Sequence, residues 1–171
     1  MTRAVLSLGS NLGDRFGYLR TAVDGFKDVL VAASSVYETK PWGVFSQDDF
    51  LNAVLIVRSD EIDEWGWLAR AQELERQVER IRGIRWGPRK LDVDVVVVDG
   101  VLSDHPDLTL PHPGAHRRST LLVPWRDVEP DAVLPGHGPI SGLQAGMSTD
   151  DVTLRSDLVL HTIDETVSDN G

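Results

Sequence analysis

LDVDVVVV, residues 91–98, is the most β-prone run in the chain. Five valines and a leucine suit a pleated strand, and their β-branched side chains suit a helix poorly. Strand side chains alternate between faces, so Asp92 and Asp94 share a face with Cα atoms about 6.5–7 Å apart. Two carboxylates projecting together from an apolar strand repel each other, and partial burial penalises both. A hard divalent cation relieves that conflict, since Mg²⁺ takes one or two carboxylates and completes its shell with phosphate oxygens and water. A solvated strand face, or an aspartate paired with a nearby arginine, explains the same spacing.

Moving upstream, residues 80–90 hold Arg80, Arg82, Arg85, Arg89 and Lys90 with no acid among them. Guanidinium groups keep their charge and grip phosphate oxygens in pairs, so such a cluster beside paired aspartates suits phosphoryl transfer. Basic residues neutralising a helix C-terminus account for Arg80 and Arg82 equally well, but not for Arg89. That helix is expected from a cap at Asp60, with an apolar stripe at Trp67, Ala71, Leu74, Val78 and Ile81 and an end at Gly83.

Earlier still, residues 50–58 alternate Leu51, Ala53, Leu55 and Val57 against Asn52, Val54 and Ile56, as a strand does. Residues 36–38 read as a short strand ending before Pro41. Residues 14–30 carry Phe16, Leu19, Val23, Phe26 and Leu30 at helical spacing, and residues 4–9 form a buried strand closed by a Gly-Ser-Asn turn. The order βαββαβ is that of a ferredoxin-like α+β sandwich, mainly antiparallel, with helices packed on the sheet and an irregular C-terminal part. Residues 1–148 are expected to form one domain. Residues 149–171 are set apart as an acidic, partly disordered tail: six acids against Arg155 alone carry half the net charge of −10.

With 41% hydrophobic and 26% charged residues the chain is globular in composition, which excludes collagen-like, coiled-coil and wholly disordered readings. No cysteine is present, so disulfide frameworks, thiolate metal sites and cysteine nucleophiles are excluded. Strong net negative charge opposes nonspecific binding to nucleic acid. No apolar run reaches the roughly 18–20 residues of a membrane span, and the first residues are too short for a signal peptide, so a cytoplasmic location is expected.

Further candidates are isolated. Residues 8–15 contain Gly9 and Gly13 but lack the Lys-Ser/Thr ending of a phosphate loop, so a tight turn explains them. His112 and His116 are four residues apart, but Pro111 and Pro113 oppose the helix that a metal pair would need; His112 and Arg118 instead fit contacts with a polyphosphate. Trp42, Phe50 and Trp86 suit either core packing or stacking on a flat heterocycle. Asn52 is an amide among aliphatics, which needs partners and could read the edge of such a ring.

Taken together, LSLGSNLGDR (6–15), SVYETKPWG (35–43), FLNAV (50–54), RWGPRKLDVD (85–94) and LTLPH (108–112) resemble, in order and spacing, the 6-hydroxymethyl-7,8-dihydropterin pyrophosphokinases. The resemblance covers residues 4 to about 126, and its most specific part is the WGPRxLDxD string. It implies a ferredoxin-like fold and transfer of pyrophosphate from ATP to a pterin hydroxymethyl group, with release of AMP, in folate biosynthesis. It further implies that Asp92 and Asp94 hold two Mg²⁺ ions with ATP, and that Arg80, Arg82 and Arg89 act in catalysis. By the same resemblance Gln72, Glu75, Arg82, Trp86, Arg89, Val95, Thr109, His112 and Arg118 contact ATP. Thr39, Lys40, Trp42, Phe50, Asn52 and Trp86 contact the pterin. The implied partners are these two small molecules, with neither nucleic acid nor membrane, and the protein is expected to act as a monomer. The chain departs from the pattern at Thr120, where the family places an aromatic, at Glu79 in place of a glycine, and at Asp107 and Pro113. Those departures motivate an alternative, a binding protein of the same fold with weakened or lost turnover. A two-metal nucleotidyl transferase or hydrolase would share the aspartates but not the segment from Thr39 to Asn52.

Overall fold

A computed structural model describes residues 2–40, 49–82 and 91–160. In chain order its elements are β1 (Thr2–Ser10), α1 (Arg15–Gly25), β2 (Leu30–Ala33), β3 (Tyr37–Thr39), β4 (Phe50–Ser59), α2 (Glu64–Arg82) and β5 (Asp92–Val98). There follow β6 (Ser103–His105), β7 (Leu108–Leu110), α3 (Ser119–Val128), β8 (Val133–Leu134), β9 (Gly138–Pro139), α4 (Ile140–Ala145) and β10 (Val152–Leu154). The main sheet runs β10-β3-β4-β1-β5, antiparallel throughout, with β2 lying beside the far end of β4. This is the α+β architecture expected from the element order.

β1 and β4 are buried on both faces because helices cover both. On one face Leu6, Leu8, Leu51, Leu55, Val93 and Val95 pack against Leu19 of α1, Phe26 just after it and the Trp67–Ala71–Leu74–Val78 stripe of α2. On the other, Val5, Val54, Ile56, Val96 and Val97 pack against Leu121, Leu122 and Trp125 of α3 and Ile140 of α4. Val96 and Val97 are consecutive yet share a face. A bulge explains this: Leu6 pairs with Val95 and Val5 with Val97, so Val96 is the extra residue on β5.

Several local expectations shift. The helix read over residues 14–30 stops at Gly25, where a Cβ would meet Leu74 Cδ2 at 2.3 Å and so hold α1 away from α2. A 3₁₀ turn at Lys27–Val29 follows, and Leu30 opens β2. One apolar residue at the end of a helical stripe serves a strand equally well, so periodicity could not separate them. The cap of α2 is Asp63 rather than Asp60, since its Oδ1 accepts from Gly66 N at 2.8 Å. The first part of the acidic tail enters the sheet as β10, because Val-Thr-Leu is β-prone and pairs with the open edge of β3. The helix stop expected at Gly83 lies outside the described residues.

Candidate active site

The α3-facing side of the sheet changes character along its strands. At one end β1, β4 and β5 present Val5, Val54, Ile56 and Val97, all under α3 and α4. At the other they present Ser7 and Gly9, Phe50 and Asn52, and Asp92 and Asp94, with Thr39 from β3. Gly9 lies between Asn52 and Asp92 in register, and Ser7 between Val54 and Asp94. These residues floor a cavity of about 710 Å³, walled by Lys40 on one side and by His112, Gly114, Arg117, Arg118 and the start of α3 on the other.

Asn52 Nδ2 donates to Thr39 Oγ1 at 2.5 Å, a bond that ties β4 to β3. Asn52 Oδ1 is thereby turned toward Gly9, where an added Cβ would lie 3.2 Å from it and 3.8 Å from Phe50 Cδ1. Glycine keeps the floor low enough for a flat ring to approach both the amide oxygen and the Phe50 ring.

The bulge at Val96 shapes the opposite wall. His112 N donates to Val96 O at 2.8 Å, which brings the His112 side chain beside Asp94. Burial holds the His112 imidazole below its ordinary pKa; Asp94 opposes this and Arg118 reinforces it. Gly114 N donates to His112 Nδ1 at 3.2 Å, so the neutral ring carries its proton on Nε2 as a donor. Arg118 packs flat on Gly114, where a Cβ would come within 3.2 Å of its Nε, and it forms no ion pair among the described residues. The N-terminus of α3 has no side-chain cap, and Ser119 and Thr120 line the cavity, so the helix start adds backbone donors and a positive dipole end there.

Asp92 and Asp94 therefore share a cavity edge with an imidazole donor, a guanidinium and a helix N-terminus. Among the described residues no group of three or more His, Cys, Asp or Glu is placed to hold a metal. Two hard carboxylates without such a cage fit an ion that takes most of its shell from phosphate and water, as Mg²⁺ does, and would not suit Zn²⁺.

Other expected positions lie away from the cavity. Arg80 donates to Glu73 Oε1 at 2.7 Å on the exposed side of α2. Gln72 is exposed on the same helix. Glu75 accepts from Val93 N at 3.3 Å, Val95 is buried toward α2, and Thr109 donates to His105 O at 3.1 Å. These residues belong to α2, to β5 and to the neighbouring β6–β7 hairpin rather than to the floor. Trp42, Trp86 and Arg89 lie outside the described residues, as does the side chain of Arg82. Sequence reasoning passed over Ser7, Gly9 and Val96 as lining residues. The alternation of small residues at Ser7 and Gly9 was the available signal for the first two, and the i, i+2, i+4 spacing from Asp92 and Asp94 was the signal for Val96; the bulge, which brings Val97 onto the same face, leaves none.

A family model described as 7,8-dihydro-6-hydroxymethylpterin-pyrophosphokinase (HPPK) matches residues 5–130. The chain belongs to the HPPK family. Among its HPPK relatives, the 2-amino-4-hydroxy-6-hydroxymethyldihydropteridine pyrophosphokinase of Mycobacterium tuberculosis is 47% identical over 163 residues, covering 88% of this chain and 87% of its own. That of Mycobacterium leprae is 52% identical over 144 residues, covering 78% and 75%. A solved HPPK-DHPS in complex with substrates superposes with a TM-score of 0.68 over 84% of this chain, at 12% identity. That likeness bears on the fold alone, and this chain spans 43% of that longer one. All the cavity residues named above fall within the HPPK match.

Proposed function

We propose that this chain is a pyrophosphokinase that transfers the terminal pyrophosphate of ATP to 6-hydroxymethyl-7,8-dihydropterin and releases AMP, in folate biosynthesis. One observation carries the assignment of residues: a single cavity joins the Thr39–Asn52 pair and Phe50 at one end to Asp92, Asp94, His112 and Arg118 at the other. A heterocycle and a phosphate chain can therefore lie end to end within it. In the reaction the hydroxymethyl oxygen attacks the β-phosphorus in line, a new O–P bond forms, the bond to the bridging oxygen of AMP breaks, and the hydroxyl proton is lost.

Asn52 Oδ1 accepts an N–H from the pterin edge while Phe50 covers a ring face, which holds the hydroxymethyl group toward the aspartates. His112 Nε2–H, Arg118 and the α3 N-terminus hold phosphate oxygens. Asp92 and Asp94 are the ligands through which Mg²⁺ would bind with ATP. When bound, Mg²⁺ neutralises charge developing on the phosphates. The side chains of Arg82 and Arg89 complete the phosphate grip in this reading, and Arg80 joins them only by leaving Glu73. The contacts proposed for Gln72, Glu75, Val95 and Thr109 place the base of ATP along the outer edge of β5. A cytoplasmic monomer belongs to the same reading. Incubation of the protein with ATP, Mg²⁺ and the pterin tests it: AMP must appear only when all three are present. Tight pterin binding without AMP would instead favour the non-catalytic alternative that Thr120 and Glu79 raise.

A further inference from the structure

Thr39, which orients the Asn52 amide, ends a strand of only three residues, and so short a strand is weakly held by one neighbour. A slip of one residue would turn Glu38 toward the cavity in place of Thr39. What fixes the register is found on the opposite face of the sheet and comes from a part of the chain beyond the HPPK match. β10 pairs with β3 so that Val152 stands opposite Thr39, Thr153 opposite Glu38 and Leu154 opposite Tyr37. Arg155 then donates its backbone N–H to Val36 O at 2.8 Å.

The Arg155 side chain closes a clasp. Its Nη1 donates to Glu38 Oε2 at 2.6 Å, while Nε and Nη2 donate to the two carboxylate oxygens of Asp157 at 3.0 and 2.9 Å. The same Glu38 oxygen lies 3.5 Å from Arg15 Nη2, and Arg15 Nη1 donates to Asp49 O at 2.7 Å. One carboxylate, its side chain 26% exposed, thus links β10, the start of α1 and the residue immediately before Phe50. Both strands of the proposed pterin wall, β3 with Thr39 and β4 with Phe50 and Asn52, are held by it.

We propose that Arg155 is a positioning residue for the pterin wall: through Glu38 it pins β3 in register with β4 and so keeps Thr39 bonded to Asn52. This rests on the pyrophosphokinase reading, because it is the pterin that the wall would receive. Arg155 does not reach the cavity and touches no phosphate position, so its loss should separate the two substrates.

The test uses the full chain. In Arg155→Ala the pterin KM should rise roughly five- to tenfold, the scale of one lost charge-assisted bond, with kcat and the ATP KM changed by less than about twofold. Arg155→Lys should recover part of the loss, since it restores the charge without the fork. Glu38→Gln should reproduce the pterin effect and serves if Arg155→Ala does not fold. An unchanged pterin KM, or equal rises for both substrates that follow a loss of folded protein, would overturn the proposal. Failure of the wild-type chain to make AMP would count against the reading of function instead. Equilibrium binding of the pterin to the wild type and to Arg155→Ala would then still decide the clasp, and a wild type that binds no pterin would end it.

Discussion

Two ends of one sheet face, built from the same three strands, have opposite character. Under α3 and α4, Val5, Val54, Ile56 and Val97 meet Leu121, Leu122 and Trp125 and exclude solvent, with Val96 at the boundary. Two to four residues along the same strands, Ser7, Gly9, Asn52, Asp92 and Asp94 face an open cavity. Alternation aims all these side chains the same way, so strand geometry alone does not separate a core from a site. The point at which α3 begins does. Its N-terminus stops over the middle of the strands, and the residues beyond it are small, polar or acidic.

The comparison predicts that substitutions at the two ends fail in different ways. At the open end, Asp94→Asn should lower turnover by about a thousandfold or more, the scale of a lost metal ligand in phosphoryl transfer, measured as AMP release at saturating Mg²⁺. Its thermal midpoint without ligands should not fall, because removing one of two neighbouring carboxylates relieves repulsion. An active Asp94→Asn would return the pair to a solvated strand face. At the sealed end, Ile56→Ala should lower the unfolding free energy by about 2–4 kcal/mol through lost burial and a cavity, with kcat and both KM values kept by the folded protein. If it instead impaired catalysis without lowering stability, the two ends would not be the separate devices described here.

A smaller effect sharpens the division within the open end. Asn52→Ala should weaken pterin binding by about ten- to a hundredfold, since it removes the oriented amide oxygen and leaves Thr39 Oγ1 without its donor. The ATP KM should stay close to wild type. Isothermal titration with each substrate separately checks this, and a matching loss for ATP would mean that the cavity is not divided along its length.

Much of this arrangement was legible in the chain and some was not, for physical reasons. The β-prone run at residues 91–98, the alternation through residues 50–58 and the stripe of α2 are each set by local spacing, and each appears where spacing puts it. Asp92, Asp94, Asn52, Phe50, His112 and Arg118 could be named because each is a polar or aromatic residue at a marked place in a pattern, whereas Thr39 came from the family resemblance alone. What could not be read depends on partners distant in sequence. β2 exists because β4 offers it an edge, and β10 because β3 does. The bulge at Val96 sits inside four consecutive valines that no periodicity divides. The pairing of Arg80 with Glu73 is decided by a helix surface, whereas the resemblance assigned Arg80 to catalysis.

The boundary between the two ends passes through β3, and Tyr37 marks it. Tyr37 pairs with Asn52 across the sheet, two residues before Thr39, and it lies against Asp127 of α3, whose Oδ2 also accepts from Ser35 N at 2.8 Å. Burial, then the nearby Asp127 charge and its hydrogen bond, push the Tyr37 phenol above its ordinary value. A group whose folded pKa is raised contributes stability that is fully present below its unfolded value, here about pH 10, and that is lost as pH rises through the folded value, because the unfolded chain ionises first. The unfolding free energy of the wild type should therefore fall on the alkaline side of pH 10 more steeply than that of Tyr37→Phe. Tyr18 and Tyr37 are the only tyrosines, so the phenolate absorbance of the variant isolates Tyr18 and the difference isolates Tyr37. An ordinary midpoint for Tyr37 would mean that α3 does not hold β3 at Tyr37, and that the sealed end stops short of this strand.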